Sequence, residues 1–564
     1  MPNASKPSLI AAIIVAALAA SVRGPNSTGL LPIWATQVLQ LPALLLWLGL
    51  RCSPRRFKTG IEPWLTMMVI AGAIAVAILR RDSGLFLLGT TLFIAGGLLL
   101  DELAHLYQQV DQNINQPLGL LRVMVRPWCL LILVATTLLS MPAATRSGVP
   151  DYTHNFWSHI LDNTFAAVGA ACLAGNTIYG FTHEYTRFGQ AVLMLTTQLA
   201  GIGFCAIGLA IITPFLSRRI RLRRVLQVAF GLQIAALFVL CLARSDGISL
   251  GDGLWNAAVH AGSALWNSGL VVRDDGFEFL HANRASFTII TILAIVGSIG
   301  LPVIMNMIHG RSKTKSAGSS EHPSRIDMIP TRRLPQFEAA IALALLFFGA
   351  FFLFYFETPG ALPNAWVPNL PFDLGEHRIA LRDETGHSQR WRRAVYVSAL
   401  LRSAGMQAIP ISEGALSRPS CGLVLLWMFV GGSAGGVAGG IRTTAILLPA
   451  LCVLYGRRSW AQHAGGPAVR RLILSRVPIF VFVWLCIHVI AAVALLSGSD
   501  ATVHEAVFET ATALNGVGFS TDLSLHLTPE GRLAMIALFV VGRWLPIVFW
   551  LYLSDRIARS LGRP

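Results

Sequence analysis

The sequence predicts an all-α polytopic membrane protein, built from four repeats of outer helix, re-entrant loop and inner helix around one axis, with extra N-terminal transmembrane helices ahead of them. Three observations predict it. Of 564 residues, 54% are hydrophobic and only 13% are charged, with a mean hydropathy of +0.61, whereas soluble chains carry roughly 25% charged residues. Arginines gather in short segments between apolar runs, as they do in the cytoplasmic loops of membrane proteins. Beyond about residue 120 a unit of apolar run, amphipathic run and second apolar run occurs four times.

The net charge of +16 would suit a nucleic-acid partner. Its placement in short inter-span segments follows the positive-inside rule instead, so no nucleic-acid partner is expected. The eight cysteines, among them Cys129, Cys172, Cys205, Cys241, Cys452 and Cys486, sit in apolar stretches without CxxC or zinc-like spacing. They read as small core residues, and no disulfide framework or protein metal centre is expected.

Residues 1–120 form the N-terminal extension, with up to four spans at 9–22, 33–50, 64–79 and 85–100. Each is shorter than the ideal span of about 20 residues but too apolar for a loop. The first, with Lys6 ahead of it and "ALAAS" at its end, fits both a span and a cleaved signal peptide. Either count delivers the chain to the cytoplasmic side by Asp101.

The repeats follow as residues 121–220, 221–310, 335–456 and 457–564, with 311–334 as a cytoplasmic linker. Their outer runs are 127–139, 225–242, 337–356 and 477–496, and their closing runs 191–216, 287–308, 421–454 and 533–553. Arginine-rich segments follow the closing runs, including Arg218 to Arg224, Arg311 to Arg333 and Arg457 to Arg476, then Arg556, Arg559 and Arg563. All four units therefore begin and end in the cytoplasm, and the middle runs dip in from outside and turn back. A long external segment between Glu357 and Arg393 carries Arg378, Arg382, Arg390 and Arg392, which the rule tolerates because long loops escape it.

Aligned on their last glycine, the middle runs share a pattern that ends at Gly175, Gly269, Gly405 and Gly518. Small pairs stand six and five places earlier, as Gly169-Ala170, Ser263-Ala264 and Thr512-Ala513, with Ser398-Ala399 offset by one. The pattern predicts a short helix and then an extended turn. One such glycine reads most simply as a helix C-cap. Four in register, each between two spans, read as turns that aim backbone carbonyls into a cavity, where a ring of oxygens can replace the hydration shell of a monovalent cation.

The third closing run contains "GGSAGGVAGGIRTT", with six glycines in the ten residues from Gly431 to Gly440. Glycine weakens a helix, and lipid tolerates a broken backbone only where protein or a water-filled cavity covers it. Two readings stand for it: an unwound segment facing a pathway, or glycines that permit close helix packing. A phosphate-binding loop is excluded, since no strand precedes it and no GK[ST] follows. Arg543, about ten residues from each end of its apolar run, is too deep to reach water by snorkelling and reads as functional. Arg442 reads equally as part of the pathway or as a positive anchor at the cytoplasmic end.

The repeat plan resembles the Trk/Ktr/HKT superfamily of potassium transporters, particularly its bacterial TrkH- and KtrB-type membrane subunits. The likeness spans roughly residues 120 to 560 and is carried by "RSAGM", "FETATALNGVGFST", "GSIGLPVI", "VGRWLPI" and the glycine-rich segment. It implies potassium uptake through one pore by a channel-like subunit of a bacterial plasma (inner) membrane, and no enzyme activity. It implies a selectivity filter at Gly175, Gly269, Gly405 and Gly518, whose backbone carbonyls bind potassium as the transported substrate. It implies a gate at Gly435, Gly436, Gly439, Gly440 and Arg543. It also implies a homodimer among membrane lipids and a cytoplasmic nucleotide-binding regulatory subunit of TrkA or KtrA type, with no cofactor in this chain. The family pattern is departed from at Asn176, after Gly175, and at Leu545, where relatives carry a glycine. Two other classes compete: the channel-like subunit of an ATP-driven potassium pump, which shares the repeat plan, and a membrane enzyme acting on lipids. The enzyme reading finds no HExxH, GxSxG or paired-aspartate motif around His183-Glu184, Glu505 or Glu509. Glu505 and Glu509 read instead as negative charge at the start of the fourth pore helix.

Overall fold

A computed structural model describes residues 117–141, 144–146, 156–178, 180–213, 220–243, 248–272, 284–312, 334–362, 386–402, 405–406, 416–454, 466–497, 499, 501–521 and 523–560. The four leading segments, the linker at 313–333 and most of the long segment after Glu357 lie outside the described residues.

The first unit comprises α1 (Pro117–Leu139), α2 (Phe156–Ala171), the one-turn α3 (Phe181–Glu184) and α4 (Arg187–Ile212). Helix α1 starts ten residues before the expected outer run at 127, with a proline in its first position, where the missing N–H costs no hydrogen bond. The second unit has α5 (Leu222–Leu242), α6 (Leu250–Trp266), α7 (Arg284–Ile299) and α8 (Leu301–Ser312). The third has α9 (Leu334–Phe356), α10 (His387–Leu400), α11 (Arg418–Phe429) and α12 (Thr443–Leu454). The fourth has α13 (Gly466–Ser497), α14 (Val503–Asn515) and α15 (Pro529–Ser560). Among the described residues five helices are long and apolar enough to cross a membrane, or six if the bent pair α7–α8 is one span.

That pair departs from the expected straight closing run at 287–308. The chain bends by 87° at Gly300, whose φ of +91° is open to glycine and strained for other residues. The Gly435 carbonyl occupies the space where a Cβ of residue 300 would stand. The bend brings the second unit against the loop of the third, a contact that hydropathy within 287–308 does not record.

The short middle helices are the most enclosed elements. Helix α2 packs on α1, α4 and α15, and α14 lies among α11, α13 and α15. The long outer helices α5, α9 and α13 leave large side chains such as Phe238, Phe348 and Phe482 on their outer faces. In water such patches would be a liability, while in lipid they are the matched surface. Tryptophans tie the middle helices to their neighbours: Trp128 Nε1 donates to the Ala171 carbonyl over 2.9 Å, and Trp484 Nε1 to Asn515 Oδ1 over 3.3 Å. Both bonds satisfy the indole N–H and hold the C-terminal end of a middle helix.

Candidate ion pathway

The middle helices start with side-chain caps where their sequences provide them. Ser249 Oγ accepts from Asp252 N over 3.1 Å, and Thr502 with Glu505 forms a reciprocal capping box on α14. Glu505 thus sits where the sequence placed it. Glu509 does not serve the helix start: it is buried, and one carboxylate oxygen accepts from Ser520 Oγ, Thr521 N and Thr521 Oγ1 at 2.7, 2.6 and 3.0 Å.

At their C-terminal ends three of these helices close in the same way. Leu173, Asn267 and Gly516 take left-handed conformations with φ of 56°, 53° and 57°. The following N–H groups reach back to Gly169, Ser263 and Thr512 carbonyls at 2.8, 3.0 and 3.0 Å, the long bond of a Schellman turn. The small pairs spaced six and five before the glycines are the acceptors of these turns. Their side chains leave room for the chain to fold over them, which is the physical content of the pattern. In the third unit the equivalent turn residues, 403 and 404, lie outside the described residues.

Two residues beyond each turn stand the aligned glycines. Gly175, Gly269, Gly405 and Gly518 all have positive φ, at 69°, 79°, 62° and 82°. They also meet one another. A Cβ on Gly175 would lie 2.8 Å from the Gly269 Cα, one on Gly269 2.9 Å from the Gly405 Cα, and one on Gly405 3.0 Å from the Gly518 Cα. A Cβ on Gly518 would lie 2.5 Å from the Ala174 carbonyl oxygen, which closes the circle. Four residues up to 343 positions apart thus form one ring in the order of the units. Asn176, beside Gly175, is buried, and neither end of its amide has a hydrogen-bond partner among the described residues.

The glycine-rich segment 430–442 separates α11 from α12 and is not helical. Gly431 to Gly440 are all buried, covered by protein as a broken backbone in a membrane must be. Gly431 N donates to the Ile441 carbonyl over 2.8 Å, so the segment leaves and returns at one place. Its glycines are seated against other units. A Cβ on Gly436 would strike the Ser298 carbonyl, one on Gly439 the Asn515 carbonyl, and one on Gly435 would lie 2.8 Å from Val303 Cγ2. Gly440 has a φ of +75° and faces Asn515 Oδ1. Asn515 is the last residue of α14, so the loop touches the base of the fourth turn.

Three buried arginines donate to the carbonyls of this loop. Arg402, just after α10, donates to the Gly431 carbonyl over 2.8 Å and to the Ala342 carbonyl over 3.3 Å. Arg442 Nη1 donates to the carbonyls of Ser433, Ala434 and Gly436 at 2.8, 3.2 and 2.8 Å. Arg442 is only 4% exposed, so its guanidinium is spent on this loop inside the protein. Arg543 donates to the Val437 carbonyl and lies 4.1 Å over the Phe204 ring. Its Nε and Nη1 have no hydrogen-bond partner among the described residues. Glu338 on α9 accepts a hydrogen bond from Thr444 Oγ1, which in turn accepts from Ala434 N over 3.1 Å. Sequence reading missed Arg402 and Glu338. The signal was present for Glu338, since an acid inside an otherwise apolar 23-residue helix marks a partner or a pathway.

The family model for TrkH, cation transport protein, matches residues 217–551. The potassium/sodium uptake protein NtpJ of Enterococcus hirae is 23% identical over 462 residues, covering 77% of this chain and 92% of the relative. The Ktr system potassium uptake protein B of Bacillus subtilis is 23% identical over 450 residues, covering 74% of this chain and 89% of the relative. The crystal structure of the potassium transporter TrkH from Vibrio parahaemolyticus superposes with a TM-score of 0.54 at 15% identity, covering 87% of this chain and 97% of that one, which is a likeness of fold. Together with the repeated units and the glycine ring, the extent of the family match shows that this chain is a multi-pass membrane protein of the TrkH cation transport family.

Proposed function

We propose that the chain is the channel-like membrane subunit of a potassium uptake system of Trk/Ktr type in a bacterial inner membrane. The observation that carries this reading is the closed ring of Gly175, Gly269, Gly405 and Gly518, each with positive φ and none with room for a side chain. Only backbone can face the axis there, so the groups offered to an ion are peptide carbonyls. The middle helices end at this ring with their C-termini. Each helix brings roughly half a negative charge to that end, which favours a cation at the centre over an anion.

The glycine loop is the gate in this reading. Arg402, Arg442 and Arg543 donate to its Gly431, Ser433, Ala434, Gly436 and Val437 carbonyls, which ties the loop down and sets positive charge beside those oxygens. Arg543 has donors left over, and its unspent charge raises an electrostatic barrier to cations. Opening exchanges these hydrogen bonds for others and needs little side-chain repacking, because the loop is mostly glycine. States of this kind differ by a few kcal/mol and are readily biased. The bias comes from a cytoplasmic nucleotide-binding subunit of TrkA or KtrA type acting on a homodimer, with the arginine-rich cytoplasmic segments as the docking surface for acidic groups. The names of the relatives, potassium uptake and potassium/sodium uptake proteins, support the choice of ion.

Growth rescue of a potassium-uptake-deficient bacterium at low external potassium, followed by reversal potentials in reconstituted membranes, tests the reading. Rescue with a potassium-selective reversal potential is the expected result. Equal permeability to potassium and sodium would overturn the selectivity, and failure to move either ion would overturn the function.

A further inference from the structure

The residue nine positions before each ring glycine is Ala166, His260, Tyr396 or Glu509; Ala166, His260 and Glu509 stand at one register, three residues before the small pair of their helix, and Tyr396 is offset by one with its own pair, Ser398-Ala399. Each is buried. In three units the side chain is bonded to the segment that follows the glycine. Glu509 accepts the Thr521 N–H, three residues after Gly518, over 2.6 Å, together with both nearby hydroxyls. His260 Nε2 accepts the Val272 N–H, likewise three residues after Gly269, over 3.5 Å. Tyr396 OH donates to the Met406 carbonyl, one residue after Gly405, over 3.4 Å. The first unit has alanine there, and the segment after its glycine packs straight onto the helix: a Cβ on Gly169 would lie 2.8 Å from the Asn176 carbonyl oxygen.

We propose that this position is a brace that sets the width of the ring, and that Glu509, His260 and Tyr396 are positioning residues for ion selectivity. The inference rests on the reading of the glycine ring as the filter. A carbonyl ring distinguishes ions only if its radius or the number of oxygens it offers is held, and small glycines cannot hold either by their own packing. The restraint has to come from behind. Glu509 supplies the strongest one, since three donors converge on a single buried carboxylate oxygen at 2.7, 2.6 and 3.0 Å. His260 and Tyr396 do the same more weakly with neutral groups. The brace is unequal around the ring, by identity and by strength: the fourth turn is the most strongly braced, and the first has no side-chain bond from this position, only the backbone bonds of Ala174 N and Gly175 N to the Gly169 carbonyl at 2.8 and 3.4 Å.

The test compares the full-length protein with Glu509→Ala, Glu509→Gln, Thr521→Val and the Glu509→Ala/Thr521→Val pair in proteoliposomes, reading the potassium-to-sodium permeability ratio from reversal potentials. Yield and size-exclusion profile report folding separately. Glu509→Ala lowers the ratio by about tenfold, the scale of one or two lost hydrogen bonds. Glu509→Gln, which keeps an acceptor, restores part of it, and adding Thr521→Val to Glu509→Ala lowers it no further. His260→Ala gives a smaller drop. A well-folded Glu509→Ala with the wild-type ratio overturns the proposal, as does additivity of the pair. If Glu509→Ala does not fold, Glu509→Gln and Thr521→Val decide alone: an unchanged ratio in both overturns it. A wild type that shows no selectivity, or a Gly175→Ser variant with an unaltered ratio, counts against the filter reading itself and is distinguished by being measured without any brace variant.

Discussion

The Arg543 guanidinium donates to the carbonyl of Val437, joining the middle of the last helix to the crest of a loop 106 residues earlier in the chain. An arginine in an apolar span needs a partner, and here the partner is the non-helical segment between α11 and α12. If the loop is the gate, this bond is a latch. Arg543→Ala is expected to raise potassium flux per folded transporter, because the latch and its positive charge go together. A bond of this kind is worth about 1.5–3 kcal/mol, enough to move a closed-to-open ratio roughly tenfold or more. Normal flux at normal expression would show that Arg543 takes no part in gating.

Glu338 is tied to the same loop through Thr444 and the Ala434 N–H. Glu338→Ala is expected to loosen the loop and increase flux, with Thr444→Val acting in the same direction. Since the two residues share one chain of hydrogen bonds, the double variant should do no more than Glu338→Ala alone. Additive effects in single-turnover flux assays would mean that they act separately.

Gly175→Ser places a side chain where the Ser268 carbonyl and Gly269 already stand, at a φ of +69°. The first turn must then shift, and the ring with it. Relative sodium permeation should rise, read as a change in reversal potential under bi-ionic conditions. Gly422→Ala on α11, where an added Cβ meets no atom within 4 Å, is the control. It should leave the ratio unchanged and stabilise the helix by up to about 1 kcal/mol.

Deleting residues 435–440 should remove the loop from beneath the ring and raise flux. Alanine at Gly436 or Gly439 is a different change, since the new Cβ meets the Ser298 or Asn515 carbonyl. These variants should unseat the loop without shortening it and raise flux by less than the deletion. If deletion lowers flux as far as it lowers assembly, the segment is a packing element and the gate reading fails.

Arg532 on α15 and Asp162 on α2 form an ion pair of 2.5 Å with both side chains largely buried. Removing Arg532 alone leaves a carboxylate without its countercharge, which for buried pairs costs about 3–5 kcal/mol. Arg532→Ala should lower the thermal midpoint of the detergent-solubilised protein, and Asp162→Asn in the same chain should recover part of the loss. An unchanged midpoint would place the pair in effective contact with solvent.

Much of this architecture is legible in the residues because the demands are local. A positive φ asks for glycine, a Schellman turn asks for small residues beneath it, and a broken span asks for residues that do not propagate helix. Gly175, Gly269, Gly405 and Gly518, and the interruption at 430–442, could be found on those grounds. Glu509 was misread for the complementary reason. Its position near the start of α14 suits a dipole role, and only the returning chain, with Ser520 and Thr521, shows what its carboxylate holds.

The sequence by itself determined the membrane class, the repeated unit, the positions of the four turns and the weak point of the third closing helix, since hydropathy and backbone preference act over a few neighbouring residues. Tertiary structure alone decided that the four turns close into a ring in unit order, that α7 and α8 part at Gly300 against the Gly435 carbonyl, and that Arg402, Arg442 and Arg543 converge on one loop. Those partners are separated by up to several hundred residues. What brings them together is the need of each buried donor and each bare carbonyl to find a match inside a protein surrounded by lipid, where water does not supply one.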